Sequence, residues 1–264
     1  MCSTWRRSDP ARVLDCGCGA GRFARLAADA GAIVAGIDAA EGLIAIAADR
    51  TPDGDFRVAD LEAVPYPDDS FDVGTGFNSF QFANDKVGAL SEAGRVARDQ
   101  VAVVIPARAA DSGIAAVFTP LFALYPPDAL TRMKDNGIFA LSAPGQLDEV
   151  LTAAGLTVHD DSEFSQPVTF DDPHTAHRAF TGAGPLQPAI RHSGQQAVAN
   201  AVRDALAPFT ETDGQIVLPA RWRVVLTTPE APQSRPDAAD NVTSQAEAEL
   251  STALDVADTT SDSA

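Results

Sequence analysis

Lysine is almost missing from this chain: of 19 basic residues in 264, only Lys86 and Lys134 are lysine and the rest are arginine. Positive charge is scarce altogether. Against 37 acidic residues it leaves a net charge of −18, and a field of that sign repels a phosphate backbone, so no nucleic acid is expected as a partner. Cysteine is limited to Cys2, Cys16 and Cys18. Three clustered thiols do not make a disulfide scaffold, and a Cys-x-Cys pair without further cysteines or a nearby histidine is a poor zinc site; a reducing, cytoplasmic setting is expected. Long apolar runs are lacking as well. No window has the uncharged length of a membrane span, and the opening MCSTWRRSDPARVLD has no apolar segment suited to secretion, so a soluble protein without membrane insertion is expected.

What is present is enough apolar material, 45% of 264 residues, for one α/β domain with a sizeable core. Residues Ala11 to Leu14 read as a short buried strand, Phe23 to Ala30 as a helix, Ala32 to Ile37 as a second strand and Glu41 to Asp49 as a second helix. Asp55 to Val58 and Phe71 to Thr75 follow as strands, Asp85 to Ala97 as a helix, and Val101 to Ile105 as a fifth strand stopped by Pro106. Strand–helix alternation of this kind implies parallel pairing through right-handed crossovers.

Ala107 to Ser142 breaks the alternation with a proline-interrupted apolar stretch. An insertion there follows the carboxyl end of a strand, where open α/β sheets bind ligands; it reads either as a lid and substrate wall or as packing for the sheet edge. Helix is expected at Pro144 to Ala154, strand at Leu156 to Asp160, helices with loops over Asp172 to Ala207, and a final strand over Ile216 to Thr227. From Pro229 to Ala264 eight acidic residues face one arginine, Arg235, with no aromatic residue. That composition is expected to form an acidic, disordered tail to a domain spanning residues 1–228.

The most informative stretch is VLDCGCGAGRFARLAADAG, Val13 to Gly31. Gly17, Gly19 and Gly21 follow a buried strand and precede a helix, where glycine lets backbone approach a ligand without a side chain between them. The absence of a Gly-Lys-Ser/Thr sequence excludes a P-loop. The spacing G-x-G-x-G also departs from the G-x-G-x-x-G of dinucleotide loops, which leaves helix amides free for a pyrophosphate. Asp15 directly before the loop would repel a pyrophosphate but suits an ammonium group, and Asp38 at the end of the next strand suits two ribose hydroxyls. Together they point to S-adenosylmethionine rather than NAD.

The same stretch resembles the first motif of class I S-adenosylmethionine-dependent methyltransferases, and GIDAAEGLIAIA resembles their second. The likeness continues through FRVADLEAVPYPDDSFD, GFNSFQFANDKVGALSEAGRVARD and FALSAPGQLDEVLTAAGL, covering most of Arg12 to Leu226. It implies an α/β, Rossmann-like sheet of seven strands, mostly parallel with an antiparallel last strand and helices on both faces. It further implies that Gly17, Gly19 and Gly21 wrap the methionine part of the cofactor, Asp15 assists its amino group, Asp38 holds the ribose, and Asp60 with Leu61 borders the adenine. Asn78 falls where family members approach the methionine part or the acceptor. Each has a structural alternative: a helix-facing carboxylate for Asp15, a cap for Asp38, a turn for Asp60 and Asn78. The activity implied is methyl transfer to a small organic molecule, with a noncatalytic cofactor-binding protein or an NAD-dependent oxidoreductase as alternatives.

Two departures from the family pattern stand out. The chain reaches its first strand almost at once, where related small-molecule enzymes carry an N-terminal helical cover, which implies a more open pocket, a covering partner or a truncated start. In place of a Pro-Gly-Gly turn before the fifth strand it has Ala97, Arg98, Asp99 and Gln100. His159, His174 and His177 are candidate bases without a spacing that assigns them a role, so the catalytic residue is left unknown. DDPHTAH reads as a helix start rather than a metal site. Phe77, Phe80, Phe82, Phe118, Phe122 and Tyr125 could wall an acceptor or form the core joining insertion to sheet, while Trp222 is expected to pack on the last strand.

Overall fold

The computed structural model describes residues 10–230, so all but the first two residues of the expected acidic tail lie outside the described residues. The strands and helices of the first half follow the apolar pattern. They are β1 (Arg12–Cys16), α1 (Arg22–Asp29), β2 (Ile33–Asp38), α2 (Glu41–Arg50), β3 (Asp55–Val58), β4 (Phe71–Phe77), α3 (Lys86–Val96) and β5 (Ala97–Pro106). After them come α4 (Gly113–Phe118), α5 (Pro127–Asp135), α6 (Gln146–Ala153), β6 (Leu156–Ser165), β7 (Val168–Phe170), α7 (Pro173–Gly182), α8 (Gln187–Ser193), α9 (Gln195–Leu206), β8 (Ile216–Leu218) and β9 (Arg221–Pro229).

Seven strands form one sheet in the order β3, β2, β1, β4, β5, β9, β6. The first five run parallel, and β9 lies antiparallel between β5 and β6. The fold is therefore the α/β Rossmann-like sheet, mostly parallel with an antiparallel last strand, that the sequence implied. α1 contacts α2, and α3 contacts α6. A core of Leu14, Ile37, Leu90, Val103, Leu147 and Val225, among others, fills the space around the sheet. β1 occupies the middle because its neighbours on both sides are strands, so Leu14, Asp15 and Cys16 are all buried.

Three local expectations are corrected. Ala97 to Gln100 is not a turn: the strand begins directly at Ala97, which pairs with Phe71 and is buried, while the register slips between Phe71 and Val73. Arg98 pairs with the buried Asp72 there, which fixes the junction without glycine. The strand expected over Ile216 to Thr227 is two strands. Pro219 cannot donate to a ladder, so β8 pairs with β7 in a separate ribbon and only β9 enters the main sheet. β6 extends to Ser165 rather than Asp160 because β9 pairs along its whole length.

The larger difference concerns the insertion. Val117, Leu121 and Tyr125 do not join the sheet core; they pack with Phe180, Leu186, Val198, Val202 and Leu206 from the segment between β6 and β9, together with Ile216 and Leu218. Two stretches far apart in sequence thus fuse into a helical cap whose core shares no residue with that of the sheet. Phe118 packs on Phe180, ring centroids 5.8 Å apart, and the buried Tyr125 hydroxyl donates to the Pro185 carbonyl at 2.9 Å. Tyr125→Phe is expected to cost about 1 kcal/mol of stability by urea unfolding, the usual net worth of such a bond; an unchanged midpoint would mean that the hydroxyl contributes nothing to joining the cap's two segments. Trp222 is half-buried on β9 and donates its indole N–H to Gln166. Among the described residues no helix is long and apolar enough to cross a membrane.

Candidate functional site

The carboxyl ends of β1, β2 and β4 meet at the glycine loop. The Gly17 and Cys18 amides both donate to the Ile37 carbonyl, at 2.8 and 2.9 Å, and the Gly19 amide donates to Asp38 Oδ2 at 2.9 Å. The loop is thereby tied along the end of β2. Gly17 and Gly19 hold φ of 73° and 51°, the left-handed region that side chains disfavour. Their surroundings differ. A Cβ on Gly19 would meet nothing within 4 Å, the open side of a cradle, whereas one on Gly17 would lie 2.4 Å from Ser79 Cβ. Gly21 does another job: a Cβ there would come within 2.8 Å of Ala47 Cβ, so it lets the start of α1 close onto α2.

Beneath the loop lies Asp15, 2% exposed. Its partners are the Thr75 hydroxyl at 3.4 Å and the Ala24 amide. Burial pushes its pKa up to about 7, with the nearby Asp38 charge adding to the rise against the two hydrogen bonds. Among the described residues no cation pairs with this carboxylate. Burial also pushes up the flanking thiols, Cys18 to about 12 and Cys16 further, so neither is an available nucleophile.

Both Asp38 oxygens are held by backbone amides of the loops on either side. One oxygen accepts from Gly19 and the other from the Ala40 amide at 2.9 Å, just ahead of α2. Asp60 stands next to it, because the Ala59 amide donates to the Asp38 carbonyl at 3.1 Å. Asp60 is exposed and its carboxylate accepts from the Glu62 amide at 3.0 Å, the turn that was its alternative reading. Leu61 packs partly against the sheet core. Asn78, with φ 56°, leaves β4 on the other side of the loop; its amide donates to Val104 and its side-chain oxygen accepts from Gln81 at 3.4 Å. Asp15, Gly17, Gly19, Asp38 and Asn78 thus converge, Asp60 and Leu61 border them beyond β3, and Gly21 packs helices.

Three residues in the same place went unread. Thr75 is the side-chain partner of Asp15. Ser79 and Gln81 are buried with Ser79 Oγ and Gln81 Oε1 unpartnered. Their signal is that, with Asn78, they put three polar residues inside the aromatic run FNSFQF, where an apolar wall alone would have none. The aromatics themselves divide: Phe80 is buried beneath Gly76, while Phe77 and Phe82 are 39% and 44% exposed. His159 meets the Gln100 side chain near the amino end of β5, and His177 contacts the Ala199 carbonyl within the cap. Asp172 caps α7, accepting from the Thr175 amide and hydroxyl at 2.8 Å each; among the described residues no three side chains form a metal-binding group.

Residues 14–105, the stretch carrying this geometry, match the family model described as a methyltransferase domain. A protein of Mycolicibacterium smegmatis designated "Probable S-adenosylmethionine-dependent methyltransferase" is 31% identical over 196 residues, 73% of this chain and 65% of that one. The malonyl-[acyl-carrier protein] O-methyltransferase of Serratia marcescens is 33% identical over 101 residues, 38% of this chain and 40% of that one. The chain therefore spans 40–65% of the length of these relatives. The YcgJ protein of Bacillus subtilis shares the fold at 23% identity, covering 84% of this chain and 93% of that one with a TM-score of 0.53. With its sheet order, its loop and these relatives in agreement, the chain belongs to the class I S-adenosylmethionine-dependent methyltransferase family.

Proposed function

We propose that this chain transfers a methyl group from S-adenosylmethionine to a small organic acceptor in the cytoplasm. The observation that carries the reading is Asp15, buried beneath a left-handed glycine loop with no cation paired to it among the described residues, and Asp38 at the loop's rim. These residues fit the cofactor's chemistry. Asp15 offers negative charge to an ammonium group, Gly19 leaves open space where a side chain would stand, and Asp38 can accept from hydroxyls with lone pairs its two backbone contacts leave over. When bound, the cofactor supplies a methyl group already activated by positive sulfur. What the chain must do is align that methyl with the acceptor and keep water away, which needs no metal. We assign the acceptor side to Asn78, which follows β4, and to the partly exposed Phe77 and Phe82 at and after that strand's end. A cavity of about 460 Å³ at the end of β5, lined by Arg108, Ser142, Asp148, Glu163 and Arg223 among others, shares no residue with this site.

The reading is tested by calorimetry of the purified chain with S-adenosylmethionine, S-adenosylhomocysteine and NADH. Micromolar binding of the first two alone is expected, and NADH binding without them would overturn it. Asp38→Ala is expected to weaken S-adenosylmethionine by about 1–3 kcal/mol, the loss of a charged acceptor in a hydrogen-bonded site. Equal affinity in the folded variant would remove Asp38 from the ribose role.

A further inference from the structure

The helical cap is built at the same edge of the sheet as the glycine loop. Its first segment leaves from the end of β5, its second from the end of β6, and the chain returns at the start of the antiparallel β9. Three of the four crossings thus lie at the carboxyl edge and carry a proline, Pro106, Pro167 and Pro219; the fourth, from Met133 in the cap core back to Leu141 in the sheet core, carries none. The bonds along this seam are polar. Ala107 donates to the Arg221 carbonyl at 2.9 Å, Gln166 to that of Ala220 at 3.1 Å, and Ser142 Oγ to that of Pro106 at 2.7 Å. Two separate apolar cores joined by a polar seam is the arrangement in which one body moves against another at modest cost.

From the seam the cap reaches back across the sheet edge to the β4–α3 connection. Asn136, at the end of α5, accepts from Lys86 Nζ at 2.8 Å and donates to Asn84 Oδ1 at 3.1 Å. Lys86 Nζ also donates to the Ala83 carbonyl at 3.1 Å. On its other side the same connection is held to the loop after β3: Glu62 Oε1 accepts from the Asn84 and Asp85 amides at 2.8 and 3.0 Å. Glu62 follows Asp60, on the expected adenine side. The connection 78–86 that carries Asn78 is thus gripped from both sides, by Glu62 and by the tip of the cap. One of the only two lysines in the sequence supplies the second grip.

We infer that Lys86, Asn84 and Asn136 form a latch that holds the cap down over the site, and that the cap swings about its proline-marked crossings to admit and release ligands. This rests on the carboxyl edge being the cofactor and acceptor site. Lys86 and Asn136 are positioning residues on this view: they govern access and touch no ligand. Breaking the latch raises the rates of entry and exit together, whereas losing a ligand contact raises the exit rate alone.

The test uses the full chain, S-adenosylhomocysteine as the probe, and two variants, Asn136→Ala and Lys86→Met, each first checked for an intact melting transition. Stopped-flow association and dissociation rates are expected to rise together, threefold or more, with Kd changed less than twofold. Hydrogen exchange is expected to speed up across 127–142 and to stay unchanged in β1 and β4. Unchanged exchange and unchanged rates in both variants would overturn the latch, as would a rise in dissociation alone. Failure of the wild-type protein to bind the probe would count against the site; the latch itself would then stand or fall on hydrogen exchange alone.

Discussion

Asp15→Asn is expected to make the free protein harder to unfold at pH 8 and, in the same variant, to weaken S-adenosylmethionine at least tenfold. Both effects come from one buried carboxylate. Its folded pKa of about 7 lies above the ordinary 3.8, so across that window the folded state keeps a proton that the unfolded state has released. Stability therefore falls as pH rises from about 4 to 7 and levels off above. At about 1.4 kcal/mol per pKa unit the full loss is on the order of 4 kcal/mol, and an amide, which never ionises, recovers part of it. The cofactor's ammonium does the reverse and favours the ionised carboxylate. Cofactor affinity in the wild type should then climb between pH 5.5 and 7, with proton release detectable by calorimetry in buffers of different ionisation enthalpy. Asp15→Asn should flatten that profile. A variant that binds as tightly as wild type, or a wild-type affinity independent of pH, would remove Asp15 from the cofactor's amino group.

The second large effect is expected at Gly17. Gly17→Ala places a Cβ 2.4 Å from that of Ser79 in a backbone of φ 73°, so the loop and the β4 connection must separate while the residue itself is strained. About 2–4 kcal/mol of stability should be lost, and cofactor binding should fall below detection because the Gly17 and Cys18 amides leave the Ile37 carbonyl. Pairing it with Ser79→Gly removes the collision but not the strained φ, and should restore about half of the lost stability. Equal melting temperatures for Gly17→Ala and wild type would show that the two loops do not pack as described. Gly19→Ala is the comparison: it meets no neighbour, so its stability loss should be confined to the backbone term, about 1 kcal/mol.

Legibility follows the distance over which a feature is decided. β1 to β5 could be read because each strand and helix shows its own apolar period, and the glycine loop could be read because its three glycines stand between a strand and a helix. The cap could not. Phe118 and Phe180 meet across 62 positions, and nothing in the local pattern of either segment names the other as its partner. The sequence leaves the aromatic residues of the insertion open between an acceptor wall and a core joining insertion to sheet, and the core that Phe118 and Tyr125 enter is that of the cap. The site was legible to the same extent as its elements: Asp15, Gly17, Gly19, Asp38 and Asn78 converge because they end three neighbouring strands. Gly21 looked like its neighbours in sequence and differs from them only through Ala47, on another helix. Ser79 and Gln81 gain their meaning from burial alone.

The place of β9 between β5 and β6 also sets an order of assembly. A chain made from its amino terminus completes β5, with its apolar VAVVI, and then β6, more than fifty residues before β9 emerges to join them. Until then β5 is an open sheet edge and β6 has no sheet neighbour. The cap helices α4 and α5 are synthesised between β5 and β6 and α7 to α9 between β6 and β9, so the newborn protein must shield an adhesive strand while it builds the cap.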